Sequence, residues 1–497
     1  VSQALNSRWE RSGVVPAVSA DDLQVLRRLS LALVGSAPSL EEIRQFEADS
    51  AADRLERWTA RYIADWRFVE YFAERLATVL VNHVGGEFGD GHRQRFVEWL
   101  GRSIQQGRPY DELVRKMIAG RGYWARDGAV LFVSSELAQN DIVPQRLAAR
   151  TTRAFLGQRI DCAQCHDHPF ATWKQSQFEA LAAHFAGVGM TPIGIQDRPD
   201  AALVIEDPRT LESRTIEHAV PFDAEAMPVN GTLRERFADW VTHPSNRRFR
   251  RAAVNRIWGL MYGRPLVRPV DDIPDPLPTG EEDGTELLDV LGDDWSTHGY
   301  DLRRLIHTIT ASPSFRLASG HPLFDQPEMA AQTENLDESW AVFPITQLTA
   351  VQLMRSLQQA SSVKTVRIRE TATTYTYMWN RERMRQASER YGDSGDINEA
   401  QQTASIPQAI HRLSGPHFAA ASNVNLRGAV SRISGMASSN TDCLDACYLV
   451  CLTRRPTSEE QRYFVDQLDL ATPDSRKQVI EDIFWTLLNS HEFSWNH

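Results

Sequence analysis

The chain has 497 residues, a net charge of −11 and 42% hydrophobic residues, enough for about three domains with packed cores. The acidic balance argues against a nucleic-acid partner, which needs a basic stripe. No apolar run reaches the ~20 residues that a membrane span requires.

From the N-terminus the sequence reads as helix after helix. The expected class is mainly α: multi-helical, with two packed helical domains and a short irregular or β-containing junction. Val1 is not a Met and no signal-peptide apolar region opens the chain, so the simplest expectation is a start after a removed leader. Ser19 with Asp22 reads as a capping pair before Leu23, Leu26, Leu29 and Leu33, with Gly35 as the stop. Ser39 with Glu42 opens a second helix. Residues 52–64, 66–84, 92–105 and 110–119 follow as helices. A helix over 144–160 carries Leu147, Ala154 and Phe155 on one apolar side. Another follows with Phe178, Leu181 and Phe185 at helical spacing. The expected boundaries are 1–190 for the first domain, 191–230 for the junction and 231–497 for the second. Short strands such as Ala202–Glu206 fit the junction. Polar stretches at 271–284 and 385–404 read as loops, and Thr457 with Glu460 caps a helix near the C-terminus.

Residues 162–166 read Cys-Ala-Gln-Cys-His. Two thiols at this spacing can add to the two vinyl groups of one haem, and the adjacent His is then aimed at the iron. A chance match in a chain this poor in Cys is on the order of one in a thousand. A zinc site would need further ligands, and only His168 is local; four ligands within seven residues is cramped for a tetrahedron. A redox Cys pair would want a thioredoxin-like βαβ setting, which is lacking. The expected cofactor is therefore one covalent haem c on Cys162, Cys165 and His166. Asp167, His168, Phe170 and Trp173 are secondary candidates around it. The second ring nitrogen of His166 needs a carbonyl or carboxylate, for which Asp167 and the backbone near Pro169 are the candidates. The opposite face of the iron stays open among Met190, His184, His83 and a vacant position.

The stretch from Thr151 to Phe170, with Trp173-Lys-Gln after it, resembles the planctomycete cytochrome c-like family. Leu26-Arg-Arg-Leu-Ser-Leu-Ala-Leu-Val-Gly and Pro38-Ser-Leu-Glu-Glu are similar to its N-terminal helices. Ala253-Val-Asn-Arg-Ile-Trp258, Gly263-Arg-Pro-Leu-Val, Ser405-Ile-Pro-Gln-Ala, Leu452-Thr-Arg-Arg-Pro-Thr and Leu488-Asn-Ser-His-Glu-Phe resemble the planctomycete-specific domain that accompanies it. The resemblance implies an exported bacterial protein, periplasmic or extracellular, associated with polysaccharide breakdown. It implies no established reaction. Two departures stand out: Gly284-Thr285 replaces a His-Pro of the relatives, and His184 stands where they tend to have Phe.

Asn255, Arg256 and Trp258 on one helix, with Arg264, Asp271 and Asp272 after them, read either as a polar cluster for propionates or substrate or as a structural Arg–Asp network joining the two domains, the reading favoured here. Cys443, Cys447 and Cys451 form one helical stripe, too far apart at ~5–6 Å for disulfides, and are expected as buried free thiols. The expected function is a redox role, either electron transfer or haem-dependent oxidation. Its partner would be a redox protein or a small-molecule or carbohydrate substrate. The alternative is a binding or scaffold protein of a glycan-degrading system, with a structural haem or metal.

Overall fold

The computed structural model describes residues 1–81, 90–123, 126–138, 141–169, 171–206, 210–274, 287–367, 428–472 and 475–497. It is mainly α, with a few short antiparallel strands. Among the described residues no helix is long and apolar enough to cross a membrane. The chain divides into two compact units, each assembled from separated stretches. The first holds Val1, Ala73–Leu260 and Pro265–Thr308; the second holds Ser2–Phe72, Met261–Arg264 and Ile309–His497.

In the second unit the local caps decide where helices begin. Ser39 and Glu42 form a capping box, with Glu42 N donating to Ser39 Oγ at 3.0 Å and Ser39 N to Glu42 Oε2 at 2.9 Å. Thr457 and Glu460 repeat it. The helix Asp22–Leu33 is capped differently from expectation: Asp21 accepts from Leu23 N at 2.8 Å. Ser19 lies two residues before the cap position, in a bridge to Leu317. Asp21 is the residue left at the half-in position, where a short acceptor side chain serves best. Cys443, Cys447 and Cys451 lie on the helix Asn440–Leu452 as free, fully buried thiols among Leu353, Leu357, Ile480 and Phe484. Burial pushes the Cys451 thiol well above its ordinary range, which keeps it protonated and inert.

The first unit carries the Cys-Ala-Gln-Cys-His segment. Its core includes Phe96, Leu113, Phe132, Leu147, Phe155, Leu181, Phe237 and Trp295. The strands expected after the motif are present. Val188–Thr191 pairs with Gly194–Asp197, and Leu203–Glu206 with Ser213–Ile216, both antiparallel. The polar stretch 385–404, Ser405-Ile-Pro-Gln-Ala and Gly284-Thr285 lie outside the described residues.

Candidate functional site

The helix leading to the motif is shorter than its apolar spacing suggests. Pro144 opens it, it is α-helical to Thr151, and it widens into a π turn over Thr152–Leu156. Thr152 Oγ1 donates to the carbonyls of Ala148 and Ala149 at 3.1 and 3.0 Å, a side-chain insertion of the kind that disturbs the helical ladder. Gly157 then ends it at φ +60°, a left-handed conformation that Gly adopts without the Cβ penalty. The carbonyls of Arg153 and Ala154 are taken by the buried guanidinium of Arg256.

Beyond Gly157 the chain is strapped from a distant stretch. Ile273 N donates to Gly157 O at 2.8 Å. The Gln158 amide donates to Gly157 O at 2.9 Å and to Ile273 O at 2.7 Å. Arg159 N donates to Asp272 at 3.2 Å, and its guanidinium meets Asp271 at 2.7 Å. Alanine at position 157 would face left-handed strain, and its Cβ would stand 3.0 Å from Ile273 Cδ1 and 3.2 Å from Ala252 Cβ. Gly157→Ala is therefore expected to cost about 2 kcal/mol. It should also speed amide exchange over residues 158–175, measured by hydrogen–deuterium exchange. Unchanged exchange there would remove the strap from the account.

The motif begins in a 3₁₀ turn, Asp161–Gln164, and runs on past its end, where Cys165 is the C-cap and His166 follows. Ala163 points into the core, while Cys162, Cys165 and His166 are exposed and both thiols are free. Asp161 is held by Arg153 at 2.6 Å. His166 Nδ1 lies 2.7 Å from the backbone carbonyl of Asp167. A carbonyl only accepts, so Nδ1 carries a proton, and in the neutral ring Nε2 keeps the lone pair. Of the candidates for holding this ring, the carbonyl of Asp167 does so and its carboxylate does not. That carboxylate accepts instead from Gln175 N and Lys174 Nζ, each at 3.0 Å, and these two bonds hold its pKa below the usual range. His168, half-buried, donates its backbone N–H to Trp173 O at 2.8 Å. Trp173, 9% exposed, closes the loop. Its Nε1 donates to Gln158 Oε1 at 3.3 Å, and Arg248 stands 6.0 Å over its ring.

The remaining candidates fall elsewhere. Phe170 and His83 lie outside the described residues. His184 follows the helix Gln175–Ala183, whose first turn is the end held by Asp167. At 1.5 Å per residue it stands about 13 Å along the axis from that end, so the structure does not bring it to His166. It is buried instead, stacked on Phe237 at 4.8 Å and edge-on to His218 at 5.4 Å. Burial holds its pKa down at about 4. Met190 lies further on, opposite Ile195 in the hairpin that follows. Phe155 packs on Phe132 and Phe185 on Phe237, so both serve the core. Among the described residues no group of three or more His, Cys, Asp or Glu is gathered to hold a metal ion.

Arg256 binds the carbonyls of Ala154 and Arg153, while Asp271 pairs with Arg159 and Arg153. Asn255 exchanges two hydrogen bonds with Val267 at 2.7 and 2.9 Å. Arg264 belongs to the second unit, where it binds Asp337. Sequence reasoning missed Arg153, Gly157, Gln158, Asp161 and Ile273. Only the glycine carried a local signal, as the stop to an apolar helix.

Residues 1–189 match the family model PSCyt2, described as "Protein of unknown function (DUF1549)". Residues 233–468 match PSD1, described as "Protein of unknown function (DUF1553)". The two models are a pairing found in planctomycete proteins. No curated protein and no solved structure matches the chain.

Proposed function

We propose that this chain, which joins those two modules, is an exported c-type haem protein with a redox role. Cys162 and Cys165 would attach one haem, and His166 would ligate its iron. The observation that carries this reading is the state of the donor set. Two free thiols and an imidazole stand exposed within five consecutive residues, and the imidazole is held through Nδ1, so that in the neutral ring Nε2 carries the lone pair. An axial histidine needs that tautomer. A zinc ion would need its donors to converge on one tetrahedral point, and these do not gather in that way. Thioether attachment needs no such convergence, since the thiols bond the rim of the ring and only the imidazole meets the iron.

A bound haem supplies one-electron exchange at its iron. The chain's own contribution is presentation. Ala163 anchors the turn in the core, Arg153 and the 271–273 strap fix its approach, and Trp173 closes its far side. The exposed thiols would offer a haem attachment at the surface, open to a redox partner. Such attachment belongs to an oxidising compartment, which accords with a periplasmic or extracellular site of action.

The full chain, expressed beside a c-type maturation system, is expected to carry one haem that survives denaturing electrophoresis. Cys162→Ala with Cys165→Ala should lose it. Optical spectra of the reduced and oxidised forms then report spin state and hence the sixth position. A wild-type chain without covalent haem, under conditions where a control cytochrome matures, overturns the reading.

A further inference from the structure

We propose that Asp167 is the positioning residue of His166, orienting the ring with its backbone while its own side chain pins that backbone to the helix Gln175–Ala183. The consequence for an iron rests on the haem reading above, but the positioning itself does not. His166 is exposed, and a hydrogen bond from its ring to the carbonyl of the next residue competes with water. It persists only if that carbonyl is stationary. Three bonds make it so. The Asp167 carboxylate accepts from Gln175 N and from Lys174 Nζ, both at 3.0 Å, and the next residue's N–H is bound to Trp173 O at 2.8 Å. The carbonyl that takes Nδ1 at 2.7 Å therefore sits between two fixed points.

The helix makes this arrangement necessary. Lys174 occupies the N-cap position, and an ammonium has no acceptor to offer the first-turn N–H groups. Gln177 turns back to Lys174 N at 2.9 Å, which leaves Gln175 N to be satisfied from elsewhere. Asp167 supplies the acceptor from eight residues upstream. The same carboxylate thus caps a helix and holds a ring tautomer. The ion pair with Lys174 is exposed on both sides and adds little; the bond to Gln175 N is the anchor.

The test reads the tautomer in haem-free full-length protein by ¹⁵N NMR of the His166 ring, with Asp167→Ala, Asp167→Asn and the double variant Asp167→Ala with Lys174→Asp. Asp167→Ala should lower the ratio of Nδ1–H to Nε2–H about fivefold, the worth of one ordinary hydrogen bond. Asp167→Asn keeps an acceptor for Gln175 N and should retain the wild-type ratio. In the double variant the carboxylate introduced by Lys174→Asp caps the helix locally, so helix stability returns and the tautomer ratio does not. Three results overturn the proposal: an unchanged ratio in Asp167→Ala, no rescue by Asn, or recovery of the ratio in the double variant, which would reduce Asp167 to a cap. In haem-loaded protein, Asp167→Ala should raise the reduction potential, because a ring whose carbonyl acceptor is no longer held in place is a poorer electron donor. Failure of the wild-type chain to take haem would sink the haem reading and leave the tautomer result to decide this one.

Discussion

Trp173→Ala is expected to destabilise the protein by about 4 kcal/mol, the usual cost of removing a buried Trp side chain. The residue is 9% exposed, although it stands in a loop and follows an exposed run from Gln164 to Asp167. Its loss would open a cavity beside Gln158 and leave Gln158 Oε1 without its indole donor. Gln158 is the residue that ties the loop to Ile273, so the damage should spread along the strap. Hydrogen–deuterium exchange over residues 158–175 should accelerate with the fall in the denaturation midpoint. Trp485→Ala is the control. That indole is 44% exposed, and its removal should change stability by no more than about 0.5 kcal/mol. Equal losses in the two variants would mean that Trp173 does not close the loop.

The parts of this arrangement that are legible in the sequence are those whose causes are local. Ser39 with Glu42, and Thr457 with Glu460, announce their helices because both partners lie within one turn. The cysteine stripe is legible because a helix repeats nearly every four residues. The motif itself is visible because its five residues are consecutive in the chain. The supports of the motif are not local. Ile273 meets Gln158 across 115 residues, and Arg256 meets Ala154 across 102. No periodicity encodes such pairs. The end of the approach helix is hidden for a related reason. Leu147, Ala154 and Phe155 keep helical burial through the π turn, so the apolar pattern gives no sign that the ladder has widened. Asp167 illustrates a third kind of failure. Capping is read from the residue just before a helix, and here that residue is a lysine while the acceptor comes from a separate turn.

His184 makes the folded protein sensitive to acid, and the expected loss is about 3 kcal/mol between pH 6.5 and pH 4. Its imidazole is 1% exposed, and its Nε2 has no hydrogen-bond partner. Burial, chiefly, and the neighbouring His218 and Arg236 hold its pKa down from 6.5 to about 4. Within that window the unfolded chain binds a proton at this position and the folded chain does not, so stability rises with pH. The contribution is complete above the unfolded pKa and is lost as pH falls towards the folded one. His184→Phe removes the titrating group while keeping an aromatic ring against Phe237, now 4.8 Å away. It gives up the 3.2 Å contact of Nδ1 with the Leu181 carbonyl, which keeps the backbone N–H of residue 184 as a donor at 3.2 Å. At pH 8 the variant should therefore lie within about 1 kcal/mol of wild type. At pH 4.5 it should be the more stable of the two by roughly 2 kcal/mol. Denaturation midpoints of both proteins across this range make the measurement. His218 also has a lowered pKa, from desolvation first and Arg236 second, but it is exposed and present in both proteins, so it cancels in the difference. Parallel curves would mean that His184 is hydrated in the folded state. Divergence would show that the aromatic cluster pays for one buried imidazole in acid and that phenylalanine there escapes the penalty.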